Sequence, residues 1–198
     1  MDAEDADLLR LLALDLDRYY EQLMSKYWHQ LRRFVFRQTG SWQDAEDIVQ
    51  EAVVRAYLAL GGYPTQRILA LKVRPWLYKI TWNVYCNYTG RSSSALDIPL
   101  DLSEDSALLE REVDWRERPE AVYEHAERRQ ELVTMLHTLP QRYREIVNLY
   151  YFEELSHQEI ADILNAHVTT VRVYLHRGLR LLRKNAAAQI SEVGGDGA

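Results

Sequence analysis

The residues from Asn165 to Lys184 contain five basic side chains and no acid, in a chain whose formal net charge is −6. The basic residues are Arg172, Arg177, Arg180, Arg183 and Lys184. Arginine presents a planar fork of donors that matches phosphate oxygens and the edge of guanine. A carboxylate among these residues would repel a phosphate backbone. The types and spacing therefore predict a surface that binds a polyanion, with duplex DNA as the favoured partner.

A short helix, a tight turn and a longer helix are predicted to present this basic surface. Ser156 and Glu159 have the spacing of a capping box, which opens a helix over 156–164. Asn165 stands where a tight turn needs a left-handed residue, and Thr169 or Thr170 is expected to cap a helix over 168–187. In such a helix-turn-helix, the first residues of the second helix reach base edges in the major groove.

The second helix is predicted to bury an aliphatic stripe formed by Val171, Leu175, Leu179 and Leu182. The side chains assigned to duplex DNA are Thr169, Thr170, Arg172, Tyr174, His176, Arg177 and Arg180. Arg172 is early enough in the helix to contact a base, and the later arginines suit phosphates. The alternative is the solvated face of an amphipathic helix, for which salt-bridging acids would also be expected.

The rest of the chain has the sequence pattern of an all-α protein. Hydrophobic residues make up 47% of the chain, and they recur at three- and four-residue steps. No apolar run is long enough to span a bilayer, and the N-terminus is acidic where a signal peptide is basic. Cys86 is the one cysteine, which excludes an internal disulfide and a Cys-based zinc site. We therefore expect a cytoplasmic protein without metal or cofactor.

Charge divides the chain into segments of opposite sign. Residues 1–17 carry six acids and one arginine, 52–96 carry no acid, and 97–127 carry eleven acids and three arginines. This pattern predicts two small helical domains joined by an acidic linker. The expected boundaries are a first domain over 1–91, a linker over 92–118, a second domain over 119–187 and a tail over 188–198. A short helix is expected near 106–112, and residues 1–17 could form a tail or an added helix.

Three helices are predicted in the first domain. The first covers 15–39 and is ended by Gly40. The second covers 41–60 and begins with Ser41 and Asp44 as a capping box. The third begins at Pro75 and is ended by Gly90. Residues 61–74 are expected to form a loop. The second helix is predicted to face inward with Ile48, Val49, Ala52, Val53, Ala56 and Tyr57. The third is predicted to face inward with Leu77, Ile80, Thr81, Val84 and Tyr88. Helices over 120–138 and 140–152 precede the helix-turn-helix.

Three segments of the sequence resemble one protein family. LPQRYREIVNLYYFEELSHQEIADILNAHVTTVRVYLHRGLRLLRK (139–184) is similar to region 4 of the extracytoplasmic-function group of bacterial RNA polymerase sigma factors. DAEDIVQEAVVRAY (44–57) resembles region 2.2, and RPWLYKITWNVYCNY (74–88) resembles regions 2.3 and 2.4. Motifs of both regions, in the expected order and about a hundred residues apart, are far more specific than a helix-turn-helix alone.

The resemblance implies a non-catalytic protein that binds core RNA polymerase and promoter DNA. The β′ clamp helices of the polymerase would bind Asp44, Asp47, Gln50 and Glu51, and its β flap is a second expected contact. Compensation of the helix dipole is the alternative role for the acids, although it explains neither Gln50 nor Glu51. The acidic linker would lie in the nucleic-acid channels of the polymerase or serve as a plain tether. An anti-sigma factor is a possible further partner in this family.

The resemblance also divides promoter recognition between the two domains. The second would read the minus-35 element as duplex, and the first would bind the melted minus-ten element. The residues assigned to the melted strand are Tyr63, Arg67, Lys72, Arg74, Lys79, Asn83 and Asn87. The aromatic side chains Trp82, Tyr85 and Tyr88 stand beside them, and Trp76 is expected to face inward. The sequence departs from the family pattern at four places. Asn165 replaces the usual turn glycine, and CNYTGRSSS (86–94) replaces a continuation with several arginines. Val173-Tyr174, after Arg172, and Trp82 stand where the family more often has small or basic residues.

Two other functions were weighed against this one. A stand-alone helix-turn-helix regulator with a sensing N-terminal domain would bind duplex operators as a dimer, but it explains neither the acid-free 52–96 segment nor the acidic helix. A metal enzyme would use the Glu154–His157 spacing, which resembles a Glu-x-x-His ligand pair. That pattern occurs once, at a helix boundary where Ser156 already has a capping role.

Overall fold

The computed structural model describes residues 3–90 and 133–193, with side chains described for 4–90 and 133–185. Every regular element in these ranges is a helix, which confirms the predicted all-α class. The chain divides into two compact units, and we describe the helices before residue 90 and those after residue 132 separately. The predicted linker, its helix at 106–112, residues 119–132 and the last five residues lie outside the described ranges.

Five helices form the N-terminal unit. They are α1 (Ala3–Leu14), α2 (Leu16–Thr39), α3 (Trp42–Gly61), α4 (Thr65–Leu69) and α5 (Val73–Tyr88). Helices α2, α3 and α5 pack against one another, α1 packs on α2, and α4 packs on α1. Phe34 and Tyr78 meet edge to face in the core, with ring centroids 5.2 Å apart. The acidic N-terminal segment is therefore an added helix, of the two possibilities that the sequence left open.

Local capping fixes the ends of α2 and α3 close to their predicted positions. The Asp15 carboxylate accepts a hydrogen bond from the Arg18 amide at the start of α2, and Gly40 ends that helix at φ 74°. Ser41 Oγ accepts from the Asp44 amide at 3.2 Å. The capping box is one-sided, however, because the Asp44 carboxylate accepts from the Tyr88 hydroxyl and the Ser41 amide donates to Thr39 Oγ1.

Several predictions for residues 61–90 are wrong in detail. The predicted loop contains the short helix α4, and α5 begins at Val73, two residues before Pro75. Proline is tolerated there because amides in the first helical turn have no intrahelical acceptor. Tyr88 was expected to face inward but is 54% exposed at the end of α5. Gly90 does adopt the left-handed conformation expected after the helix, at φ 68°.

Residues 133–137 are helical, and three further helices follow in the C-terminal unit: α6 (Gln141–Val147), α7 (His157–Leu164) and α8 (Val168–Val193). A π-helical turn (Asn148–Phe152) continues α6 to the predicted end of that segment. Helix α6 packs on α8. A Cβ atom at Gly178 of α8 would lie 3.0 Å from Val147 Cγ2 and 3.2 Å from Tyr143 Cβ. The absence of a side chain at Gly178 thus permits a close helix crossing.

The helix-turn-helix has the predicted capping box and left-handed turn residue. The Ser156 amide donates to Glu159 Oε2 at 2.9 Å, and the Glu159 amide donates to Ser156 Oγ at 3.3 Å. Asn165 has φ 51°. The predicted cap of α8 is wrong: the helix begins at Val168, so Thr169 and Thr170 lie inside its first turn. Helix α8 also extends beyond its predicted end at 187 to Val193.

Candidate nucleic-acid and polymerase-binding sites

A straight stripe of basic side chains runs along the exposed face of α8. Arg172, His176 and Arg180 recur every four residues and are exposed, as are Arg183 and Lys184 one turn further on. Side chains at this spacing share one helix face. Thr169 is exposed at the start of the same helix. The structure therefore brings most of the side chains assigned to duplex DNA onto one surface, while their contacts with DNA stay a prediction.

Three of the residues assigned to duplex DNA lie elsewhere on α8. Tyr174 was expected outside but is 2% exposed, and its ring meets Tyr143 of α6 edge to face with centroids 5.6 Å apart. Thr170 is buried, and Arg177 is half-buried. The buried face of α8 is thus wider than the predicted leucine stripe, because Tyr174 and Gly178 both pack toward Tyr143. A buried tyrosine is not available to a groove of DNA.

The outward face of α3 carries the residues assigned to polymerase docking. Asp47, Gln50 and Glu51 are exposed and lie opposite the buried residues Ile48, Val49, Ala52 and Ala56. Val53 and Tyr57, also predicted to be buried, are half-buried. Glu51 Oε1 accepts from Arg55 Nε at 2.7 Å. An exposed pair of this kind contributes little to stability, so these acids are free to serve a different role.

Two apolar side chains on the same face were missed by the sequence reasoning. Val54 is 54% exposed and Leu58 is 66% exposed. They follow Asp47 at seven and eleven residues, so they continue the stripe of Asp47, Gln50 and Glu51. The helical spacing alone would have found them. Aliphatic side chains next to acids on one helix face are typical of a docking surface, with an apolar centre and a polar rim.

Asp44, also assigned to polymerase docking, contacts a different helix of the unit. The Tyr88 hydroxyl donates to Asp44 Oδ1 at 2.9 Å. This hydrogen bond, together with the negative charge of Asp44, raises the pKa of Tyr88. Asp44 is half-buried, and its contact joins the start of α3 to the end of α5. The residue thus links the docking helix to the helix assigned to the melted strand.

Tyr63, Arg67 and Trp76 form a cluster around α4. The Arg67 guanidinium lies over the Tyr63 ring, with Cζ 3.8 Å from its centroid. Trp76 Nε1 donates to the Tyr63 hydroxyl at 3.4 Å, and the two rings are 6.2 Å apart. Arg67 is exposed, whereas Tyr63 and Trp76 are half-buried. The cluster offers an aromatic face and a cation together, as binding of an unstacked base requires.

Helix α5 places Lys79, Asn83 and Asn87 on one face at four-residue spacing. Asn83 is half-buried, Asn87 is exposed, and the Asn83 amide forms no hydrogen bond with any residue in the described ranges. Lys72 is exposed at the start of α5, and the Arg74 guanidinium lies 6.0 Å from the centroid of Tyr78. Trp82 and Tyr85, expected to offer their rings to bases, are instead buried and contact each other.

In residues 3–90 and 133–193, no group of three or more His, Cys, Asp or Glu side chains is placed to hold a metal ion. His157, from the Glu154–His157 pattern, stacks on Tyr150 with ring centroids 5.0 Å apart. None of the helices in the same ranges combines the length and apolar character of a membrane span.

Two family models match the chain. The model of sigma-70 region 2 matches residues 23–95, and the model of sigma-70 region 4 matches residues 129–182. The first match includes α3, α4 and α5, and the second includes α6, α7 and α8 as far as residue 182. The region 2 match contains the segments 44–57 and 74–88 of the sequence resemblance, and the region 4 match overlaps the segment 139–184.

Relatives and solved structures agree with these matches. The chain is 30% identical to the ECF RNA polymerase sigma factor SigW of Bacillus subtilis over 167 residues, or 83% of this chain and 87% of the relative. It is also 30% identical to the ECF RNA polymerase sigma-E factor of Escherichia coli K12, over 80% of this chain and 81% of that one.

Among solved structures, CnrH in complex with the cytosolic domain of CnrY has a TM-score of 0.63 at 21% identity, over 93% of this chain and 97% of that one. The sigma factor RpoE of Bartonella quintana, in complex with the anti-sigma factor NepR, has a TM-score of 0.58 at 17% identity, over 83% and 94%. The chain belongs to the ECF sigma factors, which bind core RNA polymerase and direct promoter recognition and opening.

Proposed function

We propose that this sigma factor reads duplex promoter DNA with α8, binds the opened strand with α4 and α5, and docks on core polymerase with α3. The observation that carries the proposal is the exposed stripe of Arg172, His176 and Arg180, which contains no acid. An ordinary solvated helix would include carboxylates to pair with the two arginines. We assign polymerase docking and strand binding to residues 1–91 and duplex recognition to residues 119–187, with a linker over 92–118 and a tail over 188–198.

Duplex recognition is assigned to residues near the start of α8 and along its stripe. Thr169 and Arg172 are exposed in the first turns, where a recognition helix meets base edges. His176, Arg180, Arg183 and Lys184 follow along the same face and suit phosphate oxygens. Tyr174 and Thr170 are excluded from this set because both are buried.

Strand binding is assigned to Arg67, Tyr63 and Asn83, with Lys72, Arg74, Lys79 and Asn87 around them. Arg67 and Tyr63 combine a cation with an aromatic ring. Asn83 has donors and an acceptor that are unused within the described residues, so its amide can read the edge of an unpaired base. Single-stranded bases need such contacts because they have lost the stacking of the duplex.

Docking is assigned to the outward face of α3, with Asp47, Gln50 and Glu51 as polar contacts and Val54 and Leu58 as apolar contacts. The acids can pair with arginines on the clamp helices of the polymerase β′ subunit, and burial of two aliphatic side chains adds a non-directional contribution. Asp44 supports this face through Tyr88. Region 4 would add contacts with the β flap.

The protein acts with the polymerase in the cytoplasm and has no catalytic residues or cofactor of its own in this proposal. RNA synthesis belongs to the core enzyme, so the chain needs only to bind and position DNA. The acidic linker is proposed to follow the nucleic-acid channels of the polymerase, with a plain tether as the alternative. An anti-sigma factor stays a candidate partner. The similarity to RpoE, which was solved with the anti-sigma factor NepR, is at 17% identity and concerns the fold alone.

Transcription in vitro with core polymerase tests the proposal. The purified chain should co-elute with core enzyme and confer defined start sites on it, mapped from the transcripts. Asp47→Arg should weaken binding to core polymerase and leave the helical content unchanged. Glu21→Arg, on the exposed face of α2, is a charge-matched control that should bind normally. A chain that neither co-elutes nor changes start-site choice would refute the function, and normal docking of Asp47→Arg would remove α3 from it.

A further inference from the structure

Helix α1 lies outside the segment that matches the region 2 model, which begins at residue 23. Three leucines bury the inner face of this helix: Leu8, Leu9 and Leu12 are each at most 6% exposed. The helix packs both on α2 and on α4. None of the roles proposed above involves α1, although this helix is packed into the core of the N-terminal unit.

A charged contact fixes α1 on α2. The Tyr27 hydroxyl donates to Asp5 at 2.8–2.9 Å, and Lys26 Nζ lies 2.8 Å from Asp5 Oδ1 and 3.3 Å from Glu4 Oε2. Asp5 is buried, with 8% of its surface exposed. Burial lowers the pKa of Lys26, but the hydrogen bonds that its ammonium donates to Asp5 and Glu4, together with their negative charges, outweigh burial and raise that pKa. Because the Asp5 carboxylate must keep these hydrogen bonds once it is buried, the contact holds α1 in one position on α2.

Helix α4 depends on this packing. It has five residues, Thr65–Leu69, and its N-cap residue Pro64 provides no side-chain cap. A helix this short is not stable by itself. Its one buried residue is Ile68, and within the described residues α4 packs chiefly on α1. The position of α4, and of the Arg67 guanidinium that it places over Tyr63, is therefore set largely by α1.

We propose that α1 is a bracing helix that positions α4 for the opened promoter strand, with Asp5 as the positioning residue that fixes α1. The inference rests on the proposed role of Arg67 and Tyr63 in strand binding. Asp5 does not contact DNA in this scheme. It acts through α1 and α4, so its loss should reduce strand binding while the docking face on α3 stays intact.

The test uses the full chain with core polymerase and compares Asp5→Asn with Asp7→Asn. Both substitutions remove one negative charge from α1. Asp7 pairs with Arg10 in a contact whose side chains are more than 70% exposed, so it is a matched control. The measurements are thermal unfolding, affinity for core polymerase, and affinity of the holoenzyme for a single-stranded minus-ten oligonucleotide. Promoter opening is compared on duplex and premelted templates.

Asp5→Asn should weaken oligonucleotide binding by about three- to thirtyfold, the range for residues that act through packing. It should slow opening on duplex templates and leave affinity for core polymerase within twofold of wild type, roughly. Asp7→Asn should match wild type in all measurements, and Leu9→Ala should resemble Asp5→Asn. Strand binding equal in Asp5→Asn and Asp7→Asn would overturn the proposal. So would a parallel loss of core affinity and strand binding, which indicates general unfolding.

Arg67→Ala separates failure of this inference from failure of the proposed function. If Arg67→Ala and Asn83→Ala leave oligonucleotide binding unchanged, then α4 and α5 do not bind the strand. That result would refute both the proposed strand-binding role and the bracing role of α1. If those variants bind weakly while Asp5→Asn binds normally, the strand-binding role stands and the bracing role of α1 is refuted.

Discussion

Arg172 is the residue on which sequence-specific duplex recognition depends in this account. It is exposed in the second turn of α8, ahead of His176 and Arg180 on the same face. Arginine early in a recognition helix can bond two acceptors of one guanine, whereas cations further along contact phosphates. Arg172 and Arg180 should therefore contribute in different ways, although they have the same side chain.

Arg172→Ala should cost about 1–3 kcal/mol in binding to the upstream element and relax specificity at one base pair. Arg180→Ala is the matched control, because loss of a phosphate contact should weaken binding to all sequences about equally and reduce the salt dependence. The measurement is holoenzyme binding to a library of upstream elements at two salt concentrations. An unchanged sequence profile for Arg172→Ala would exclude this residue from base recognition.

His137 links the stability of the C-terminal unit to pH. Its Nδ1 lies 2.9 Å from Arg144 Nη1. Burial and the positive charge of Arg144 lower the pKa of His137 from its ordinary 6.5. The folded state therefore disfavours the protonated ring. The resulting stabilisation is present above about pH 6.5, and it is lost as the pH falls through the lower pKa of the folded state.

We expect the free energy of unfolding to decrease between pH 7 and pH 5, roughly, and to decrease less in His137→Gln. Urea unfolding at several pH values measures both slopes. Identical slopes for His137→Gln and wild type would show that this histidine does not couple stability to pH.

At the scale of elements, the crossing of α6 and α8 depends on Gly178. An added methyl would lie 3.0 Å from Val147 Cγ2 and 3.2 Å from Tyr143 Cβ, closer than ordinary contacts. Overpacking of this kind costs about 1–3 kcal/mol. Replacing glycine by alanine within a helix returns at most about 1 kcal/mol through helix propensity.

Gly178→Ala should therefore lower the free energy of unfolding by up to about 2 kcal/mol. The double variant Gly178→Ala, Val147→Ala removes the nearest methyl and provides the control. Its destabilisation should be smaller than the sum of the two single effects, because one cavity accommodates the added methyl. Chemical unfolding of the four proteins measures this coupling. A stabilising Gly178→Ala would show that the helices separate easily.

The elements also show which features a sequence can predict. The limits of α2 follow from Asp15 and Gly40, and the turn before α8 follows from Asn165, because each signal lies within one turn of its effect. The burial of Tyr174 could not be predicted from the residues around it in the sequence, because it depends on contact with Tyr143 in another helix. Helix α4 was missed because its five residues are held by α1 rather than by their own pattern. Helical spacing was enough to predict that Arg172, Arg180 and Asp47 are exposed. It would also have indicated Val54 and Leu58, but exposed aliphatic side chains were not looked for.

At the scale of the whole molecule, a net charge of −6 is compatible with DNA binding because the charges are segregated. Of the 30 acids, 21 lie in residues 1–17, on α3 and in 97–127, while the stripe on α8 carries none. Binding to a polyanion depends on local rather than net charge. In the proposed function, duplex reading and strand binding belong to different units, so damage to one should leave the other intact.

Arg172→Ala and Asn83→Ala test this independence in one set of experiments. Arg172→Ala should reduce promoter occupancy and leave affinity for a single-stranded minus-ten oligonucleotide unchanged. Asn83→Ala should weaken binding of the minus-ten oligonucleotide and impair opening on duplex and premelted templates alike, because both templates need its contact with the unpaired strand. A defect confined to duplex templates would instead assign Asn83 to the melting step.

The double variant decides whether the two units contribute separately to promoter opening. Residues that share no partner usually have additive free-energy effects, within about 0.5 kcal/mol. The rate of open-complex formation by the double variant should therefore equal the product of the two fractional rates. A double variant no slower than the slower single variant would mean that both substitutions impair one common step. In that case Arg172 and Asn83 would act on a single conformational change of the holoenzyme, and the division of labour between the two units would be wrong.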